Sequence, residues 1–264
     1  MSLRIRDILE KVKKGELEVN VAEKELRLLA VKDIEIALLD VSREVRRGVP
    51  EIVFGEGKSA DQLYEIVRTF LDEVGRVIVS RVAQGVADTL LLKLKDLGDY
   101  EVKYEPKARV FIAKKRGFEN VKLIGRVGIV TAGTADLQVA EEAKIILEEL
   151  GCQTLLIADV GIAGLQRVIM AARRLIEEDV DVVIAVAGME GALPSVLASI
   201  LDIPVIGVPT SVGYGFGARG EAALMNMLQS CSLGLTVVNI DNGVAAAIAA
   251  YLVLRKINER GKKG

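Results

Sequence analysis

The sequence has 264 residues, enough for one large domain or two smaller ones, and a formal net charge of only −2. A chain so close to neutrality gives no electrostatic reason to expect a nucleic acid or a membrane surface as its partner. It contains no histidine and two cysteines, Cys152 and Cys231, which argues against a disulfide framework and a transition-metal site. The charged N-terminus lacks the apolar segment of a signal peptide, so we expect a cytoplasmic protein.

Charge is distributed unevenly along the chain. Residues 1–120 carry 45 of the 72 charged side chains, whereas most of the glycine-rich loops occur after residue 120. The change falls near the segment KKRGFENVKLIG. We therefore predict a smaller N-terminal α+β domain over residues 1–120 and an α/β core domain over residues 121–264.

The N-terminal part is predicted to mix helices and strands. Two helices come first, one with Ile5, Ile8, Leu9 and Val12 on a single face and one over about residues 19–30. Ser59 is expected to cap the next helix, after a short strand and a glycine turn. The remaining segments are predicted to form the strand RVIVS, the helix VAQGVADTLLLKLK, and the strands YEVKYE and ARVFIA.

The second half of the chain alternates short apolar segments with helical segments five times. Parallel strands covered by helices on both faces have this pattern, which predicts a doubly wound α/β layer. In such sheets the ligand lies outside the carboxyl ends of the strands. The loops expected there are TAGTAD, ADVGIAG, AGMEGALPS, PTSVGYGFG and NIDNG.

All five loops contain small or turn-forming residues, which suits the binding of an anion. Glycine allows backbone amides to approach a ligand, and helix N-termini favour negative charge. Thr131 and Thr134 add hydroxyl groups for a phosphate. Any single loop is equally well explained as a tight turn, but five at one sheet edge favour a nucleotide or sugar-phosphate site. There is no Walker motif, and the glycines of GYGFGARG do not have the spacing of a dinucleotide-binding dehydrogenase.

Acidic residues follow several of these strands. Glu190 precedes a helix that Pro194 helps to begin, and Asp136, Asp159 and Asp241 each follow a strand. Such a carboxylate can simply stabilise a helix dipole. It can equally act as an acid or base, or bind Mg²⁺ together with a phosphate. Position alone leaves both interpretations open.

The two cysteines both precede strands, at the amino end of the predicted sheet. For Cys152, at the start of a strand, a structural role is the expected one. Cys231, in NMLQSCSLG, ends the predicted helix EAALMNMLQSC and precedes a strand, and it is either a buried packing residue or a nucleophile. A nucleophile there has to reach the site by local folding or from a neighbouring subunit.

Several motifs occur together in one order. They are GIVTAGTADLQVAEEA, DVGIAGLQR, VAGMEGALPSVLAS, PVIGVPTSVGYG, NMLQSC and VVNIDNG, preceded by LDVSREVRRGVPEIVFGEGKSADQL. This set resembles the LarB family of pyridinium-3,5-biscarboxylic acid mononucleotide synthases, which begin the synthesis of the nickel-pincer nucleotide cofactor. The resemblance extends from about Leu39 onward. The core half more distantly resembles PurE, the aminoimidazole ribonucleotide carboxylase, which implies a PurE/flavodoxin-like sheet.

The resemblance implies a reaction. The substrate would be nicotinic acid adenine dinucleotide, carboxylated at C5 of its pyridinium ring with CO₂ or bicarbonate and cleaved at the phosphoanhydride to release AMP. Cys231 matches the family's cysteine, whose thiolate would add at C4 and make C5 electron-rich. A cationic ring beside the sulfur favours the thiolate, which reduces the need for a histidine. PurE-like assembly would make the protein a homo-oligomer, with an octamer expected by analogy.

The predicted site combines catalytic and binding residues. Cys231, Glu190 and Asp136 are the catalytic candidates, and Glu190 or Asp136 is the candidate proton acceptor or Mg²⁺ ligand. The predicted substrate contacts in the core half are Thr131, Gly133, Thr134, Gly161, Gly188, Met189, Ser211, Gly213, Tyr214, Asp241 and Asn242. In the N-terminal half they are Arg43, Arg46, Arg76 and Lys107, for which solvated surface charge is an equal alternative.

Two positions depart from the family pattern. Ala135 stands where the family often has a serine, and Gln166 where it often has a histidine, so the presumed phosphate or CO₂ loop loses a hydroxyl and a proton carrier. Two other functions remain as alternatives: a PurE-type carboxylase acting on another nucleotide, and a nucleotide-binding module without catalysis. The absence of histidine and the presence of Cys231 count against the first.

Overall fold

The computed structural model describes residues 2–28, 31–95, 99–118 and 124–261. The chain divides into two compact units. The first comprises Met1–Glu105 and Arg109–Phe118, and the second comprises Pro106–Ala108 and Glu119–Gly264. In the described part of the chain, no helix is long and apolar enough to cross a membrane.

The first unit is an α+β structure. Its elements are helices α1 (Ser2–Lys13), α2 (Val19–Leu28), α3 (Arg43–Arg47), α4 (Ala60–Glu73) and α5 (Gln84–Lys95), and strands β1 (Lys32–Asp33), β2 (Leu38–Leu39), β3 (Ile52–Phe54), β4 (Arg76–Ser80), β5 (Tyr100–Glu105) and β6 (Val110–Lys115). The two helices predicted at the start are present, although Leu9 is exposed while Ile8 is buried. Residues 29 and 30, predicted to end the second helix, lie outside the described residues.

The main sheet of this unit has the order β3-β4-β6-β5, with β3 and β4 parallel and the other pairs antiparallel. Helix α4 covers it with Leu63, Val67 and Leu71, which are fully buried at helical spacing. The helix begins at a capping box: Ser59 Oγ accepts a hydrogen bond from the amide of Gln62, and Gln62 Oε1 accepts one from the amide of Ser59. The N-cap predicted at Ser59 is therefore confirmed.

The second unit is the predicted doubly wound α/β domain. Its strands are β7 (Arg126–Thr131), β8 (Gln153–Ile157), β9 (Val182–Ala187), β10 (Val205–Pro209) and β11 (Leu235–Val237), and its helices are α6 (Leu137–Glu149), α7 (Leu165–Glu177), α8 (Leu193–Ile200), α9 (Glu221–Leu228) and α10 (Gly243–Gly261). Short 3₁₀ helices cover Thr134–Asp136 and Gly215–Gly217. Helix α9 ends at Leu228 rather than at Cys231, because the amide of Gln229 closes the last turn on Met225.

All five strands of this sheet are parallel and have the order β11-β10-β9-β7-β8. Counted in chain order within the domain this is the flavodoxin-like order 2-1-3-4-5. The chain passes from β7 to β8 on one side and then returns to β9 on the other side of β7. The switch point of the topology therefore lies between β7 and β9.

Helices cover both faces of the parallel sheet, which explains its apolar strands. Helices α6 and α10 pack on one face, and α7, α8 and α9 pack on the other. The central strand β9 is buried at all six positions. This burial holds the strands rigidly, so the loops at their carboxyl ends begin from fixed positions.

Candidate active site

A cavity of about 300 Å³ lies at the carboxyl edge of the parallel sheet. Residues that follow β7, β8, β9 and β10 line it. The cavity is therefore next to the switch point between β7 and β9, where sheets of this topology bind ligands. Its volume is at the lower end of the range for small-molecule sites.

The cavity brings together six of the predicted site residues. They are Gly133, Asp136, Gly161, Gly188, Met189 and Glu190. The rest of the lining is small or apolar and was not predicted: Ala132, Ala135, Ile162, Ala163, Ala187, Ala192, Leu193 and Val212. Their positions next to the predicted glycines in the same loops are the signal that could have identified them. Ala135, one of the two departures noted in the sequence, thus lines the cavity.

The loop after β9 forms a tight wall of the cavity and needs a glycine. A Cβ atom at Gly188 would lie 2.2 Å from the carbonyl oxygen of Val212 and 2.7 Å from Thr210 Oγ1. The next residue, Met189, has a φ of 52° and donates its amide to the same Val212 oxygen at 2.9 Å. The loops after β9 and β10 are therefore in direct contact, and only a residue without a side chain fits between them.

Asp136 is buried at the centre of the loops, with 3% of its surface exposed. Its Oδ1 accepts a hydrogen bond from Thr210 Oγ1 at 2.6 Å, and its Oδ2 accepts one from the amide of Gly133 at 2.9 Å. The amide of Gly188 also favours the ionised form of this carboxyl group. Burial raises the pKa of Asp136 above its ordinary value, and the nearby Asp241 acts in the same direction, against these three favourable interactions.

Glu190 lines the same cavity but is exposed to solvent. Its position is set by a turn in which Gly191 has a φ of 64° and donates its amide to the oxygen of Gly188 at 2.9 Å. The turn is fixed to helix α9, because Asn226 Nδ2 donates to the backbone oxygen of Glu190 at 2.7 Å. The carboxylate of Glu190 is therefore held at the rim by its backbone while its side chain stays accessible.

Arg167, which the sequence pattern did not single out, adds a positive charge beside the cavity. Its guanidinium pairs with the side chain of Asp159 at 2.9 Å and donates to the backbone oxygen of Asp159 at 3.0 Å. It lies against the lining residue Gly161 and against Gly164, where an added Cβ would meet the guanidinium at 2.9 Å. The residue's place in the first turn of α7, directly after a glycine loop, is the signal that could have identified it.

Two of the predicted contacts connect the loops to one another, and a third caps a helix. Thr131 is fully buried, and its Oγ1 accepts a hydrogen bond from the amide of Asp159 at 3.3 Å. Asp241 Oδ1 accepts a hydrogen bond from the amide of Ser211 at 2.8 Å. Asn242 caps helix α10, because its Oδ1 accepts a hydrogen bond from the amide of Ala245 at 2.8 Å.

The other predicted residues of the core half do not line the cavity. Thr134, Ser211, Gly213 and Tyr214 are exposed in the loops after β7 and β10. Phe216, two residues beyond Tyr214, has its side chain fully exposed. The rim on this side therefore presents aromatic groups to solvent.

The two cysteines differ in their exposure to solvent. Cys152 is buried at the start of β8, and burial, with a contribution from Asp181, raises the pKa of its thiol to about 12. Cys231 is exposed between the end of α9 and the start of β11, at the amino edge of the sheet. Because the cavity lies at the carboxyl edge, one chain does not bring Cys231 to the other predicted site residues.

The four basic candidates of the N-terminal half have different environments. Arg43 and Lys107 are exposed, and Arg46 forms an ion pair with Asp40. The side chain of Arg76 is 1% exposed, pairs with a glutamate of α3 at 2.8 Å, and stacks over Phe118 at 5.2 Å. These contacts give Arg76 a structural role within the first unit.

The described residues do not form a metal site by themselves. Among the described residues, no group of three or more acidic, cysteine or histidine side chains could hold a metal ion. In the cavity, Glu190 is the accessible carboxylate, whereas Asp136 is buried and hydrogen-bonded. This donor set fits Mg²⁺ only if most ligands come from substrate phosphates and water, which is the usual arrangement for that ion.

Comparison with known families agrees with the fold and the cavity. The family model "AIR carboxylase" matches residues 126–263, and the model "LarB/PurE-like N-terminal domain" matches residues 31–115. An uncharacterized protein of Methanocaldococcus jannaschii is 44% identical over 256 residues, which cover 97% of this chain and 98% of the relative.

Relatives with a named activity match about half of the chain. N5-carboxyaminoimidazole ribonucleotide mutase of Pyrococcus horikoshii is 33% identical over 129 residues, or 48% of this chain and 71% of the relative. The mutase of Thermotoga maritima is 32% identical over 130 residues, or 49% of this chain and 74% of the relative.

The flavodoxin-like sheet, the cavity at its switch point and the AIR carboxylase match define an enzyme of the carboxylase/mutase kind. The match of the N-terminal part narrows this class. The chain belongs to the LarB family and has a PurE-like core domain.

Proposed function

We propose that the protein carboxylates C5 of the pyridinium ring of nicotinic acid adenine dinucleotide and hydrolyses its phosphoanhydride. The products would be pyridinium-3,5-biscarboxylate mononucleotide and AMP, and CO₂ or bicarbonate would be the co-substrate. The observation that carries this proposal is the presence of both family matches in one chain, residues 31–115 and 126–263. The named mutase relatives match only about half of the chain, so they do not account for the N-terminal part.

The cavity suits the mononucleotide half of this substrate. Its volume of about 300 Å³ and its apolar lining, which includes Ile162 and Leu193, fit a flat ring and a ribose. The glycine loops after β7 and β8 allow backbone amides to approach a phosphate. Arg167 stands beside these loops with a positive charge that a phosphate or carboxylate of the substrate can share with Asp159.

The proposed chemistry needs a nucleophile because a pyridinium carbon does not attack CO₂. A thiolate adds to C4, and the ring electrons move to the nitrogen, which makes C5 part of an enamine. C5 then forms a bond to the carbon of CO₂, a base takes the C5 proton, and the thiolate leaves C4 so that aromaticity returns. Water cleaves the phosphoanhydride. The accessible thiol is Cys231, and the carboxyl groups that line the cavity are Glu190 and Asp136.

The thiol and the cavity lie at opposite edges of the sheet, so the proposal includes a homo-oligomer in which a second copy supplies Cys231. Large apolar side chains are exposed near it: Met225 and Leu228 on α9, and Leu233 with 92% of its surface exposed. Surface of this kind favours burial against another protein. A PurE-like octamer is the assembly that we propose.

Mg²⁺ is included as a proposed cofactor bound mainly through substrate phosphates, with Glu190 as the candidate ligand from the chain. When bound, it would neutralise charge on the phosphates. No step of the proposed carboxylation depends on it.

The experiment is a product assay. Purified protein is incubated with nicotinic acid adenine dinucleotide, ¹³C-bicarbonate and Mg²⁺ under anaerobic reducing conditions. The expected result is AMP together with a mononucleotide that carries one ¹³C carboxylate, both detected by mass spectrometry. Absence of both products would contradict the proposal.

Two parallel reactions separate the alternative functions. Turnover of N5-carboxyaminoimidazole ribonucleotide, the substrate class named for the relatives, would support a mutase on another ring. Binding of the dinucleotide without any product, and without a covalent adduct on Cys231, would support a binding module.

A further inference from the structure

We propose that Asp136 is a positioning residue, which holds the loops of the cavity in place, and that Glu190 accepts the proton released from C5. Asp136 and Glu190 are the two ionisable side chains among the described residues that line the cavity. The part about Glu190 rests on the proposed function. The part about Asp136 stands on the geometry of the loops.

The carboxyl group of Asp136 connects three chain segments that are far apart in sequence. Gly133 belongs to its own loop, Gly188 follows β9, and Thr210 follows β10. Gly133 and Thr210 donate hydrogen bonds to the carboxyl oxygens. The amide of Gly188 favours the ionised form of the same group. Thr210 is fully buried, and a side chain at Gly188 would have no space, so these segments meet only in this arrangement.

Two further hydrogen bonds extend the connection to all five loops. Thr131 Oγ1 accepts a hydrogen bond from the amide of Asp159, which joins β7 to the loop after β8. Asp241 Oδ1 accepts one from the amide of Ser211, which joins the loop after β11 to the loop after β10. Asp159 and Asp241 have φ values of 60° and 56°, in the left-handed region, which is unfavourable for a residue with a side chain. The two hydrogen bonds help to hold the backbone of these residues in that conformation. Asp136 lies in the middle of this series.

These contacts make Asp136 unsuitable as a proton acceptor. Protonation of Asp136 would remove the negative charge that strengthens the hydrogen bonds from Thr210 and Gly133, and would so weaken the contacts that hold the loops. Glu190 is exposed at the rim of the same cavity and is held through its backbone, so its carboxylate can move to a substrate carbon without disrupting the loops. The two acidic residues therefore divide the tasks of positioning and proton transfer.

Conservative and non-conservative variants of each acid test this division. Asp136→Asn has nearly the same shape, keeps an acceptor oxygen for the amide of Gly133, and places a polar Nδ2 group opposite Thr210 Oγ1. It is expected to restore most of the activity that Asp136→Ala loses and to keep the wild-type pH profile. Thr210→Val, which removes one of the contacts at nearly constant volume, is expected to raise KM more than it lowers kcat.

Glu190→Gln is expected to behave differently. It should lower kcat by roughly 10²–10⁴-fold and change the pH profile, while the KM for the dinucleotide stays near that of the wild type. The division is overturned if Asp136→Asn loses as much kcat as Asp136→Ala in a folded protein, or if Glu190→Gln retains the kcat of the wild type.

A measurement without substrate tests the positioning role separately. Amide hydrogen exchange at Gly133 is expected to be about tenfold faster or more in Asp136→Ala, and near the wild-type rate in Asp136→Asn. Equal protection in Asp136→Ala and wild type would overturn the role of Asp136. If the wild type makes no product from the dinucleotide, the proposed function and the role of Glu190 fail together, and the exchange rates still decide the role of Asp136.

Discussion

The two edges of the parallel sheet differ in how their loops are held and in the reactive side chains that they carry. At the carboxyl edge, five loops are joined by hydrogen bonds around a cavity that contains carboxylates and, among its described lining residues, no thiol. The amino edge carries both cysteines, one buried and one exposed beside uncovered apolar side chains. Within one chain, the groups that line the cavity and the candidate nucleophile are thus at opposite edges of the sheet.

This separation indicates why the protein would need to assemble in order to act. Buried strands about 17 Å long, for five residues at 3.3–3.4 Å each, keep the two edges apart, and no rotation of a side chain spans that distance. The exposed position of Cys231 is unfavourable for the chemistry of its own cavity but suitable for the cavity of a neighbouring copy. Four measurements test this difference between the two edges.

Removal of the exposed thiol should have the largest effect. Cys231→Ala is expected to reduce turnover of the dinucleotide to background, because the ring cannot be activated without an addition at C4. The matched control is Cys152→Ala, which should lose about 1 kcal/mol of stability through a small cavity and keep its kcat. The comparison of the two thiols would be wrong if Cys231→Ala turned over at the wild-type rate.

Reaction of the thiols with an alkylating reagent tests the same contrast without substrate. At pH 8, Cys231 should be modified rapidly because it is exposed, whereas Cys152 should react only after unfolding. Burial raises the pKa of Cys152 to about 12, so its thiolate is scarce at this pH. Peptide mass spectrometry after a short reaction measures both sites, and modification of Cys152 in the folded protein would contradict the structure at the amino edge.

A glycine substitution tests the packing at the carboxyl edge. Gly188→Ala is expected to lose about 1–3 kcal/mol of unfolding free energy, because its Cβ would lie 2.2 Å from the oxygen of Val212. Gly85→Ala is the matched control: it lies in helix α5 with no atom within 4 Å of an added Cβ, and should gain about 0.4–1 kcal/mol. Denaturant unfolding measures both, and equal effects would argue against the tight loop contact.

The smallest expected effect is the pH dependence of stability from Asp136. Burial raises its folded-state pKa, so the folded protein binds this proton more tightly than the unfolded chain. The resulting stabilisation is complete below the pKa of the unfolded chain and is lost as the pH rises through the folded pKa. Asp136→Asn has no carboxyl group at this position and so does not lose this stabilisation as the pH rises. The stability of the variant relative to that of the wild type should therefore increase with pH in thermal unfolding scans. A difference that is independent of pH would contradict the shift.

Much of the fold could be predicted from local patterns. Five short apolar segments between helical segments predicted the parallel sheet, and Ser59 before a helical segment predicted the N-cap of α4. The strand order could not be obtained in this way, because the pairing of β7 with β9 joins residues that no local pattern connects. The end of α9 was also misplaced, because the closing of its last turn depends on backbone geometry at Gln229.

The sequence predicted the glycine loops of the site well. It predicted less well the roles of side chains, which depend on their contacts in the folded protein. Glycines after strands located the loops around Gly133, Gly161 and Gly188. The difference between Asp136 and Glu190 could not be obtained from the sequence, because both acids follow strands and only burial separates them. Arg167 was missed for a related reason, since its closeness to the glycine loop is a property of the folded helix terminus.

The central claim, that the cavity of one copy uses the thiol of another, is tested most directly by mixing two inactive variants. Cys231→Ala and Glu190→Gln, each first shown to be inactive alone, are co-expressed with different tags, and the mixed oligomers are purified. Some interfaces in the mixture then combine an intact cavity with an intact Cys231. The mixed oligomers are predicted to recover about a quarter of wild-type activity, as expected for random pairing in a symmetric assembly. Activity that stays at background would show that each chain needs its own thiol, and would contradict the claim.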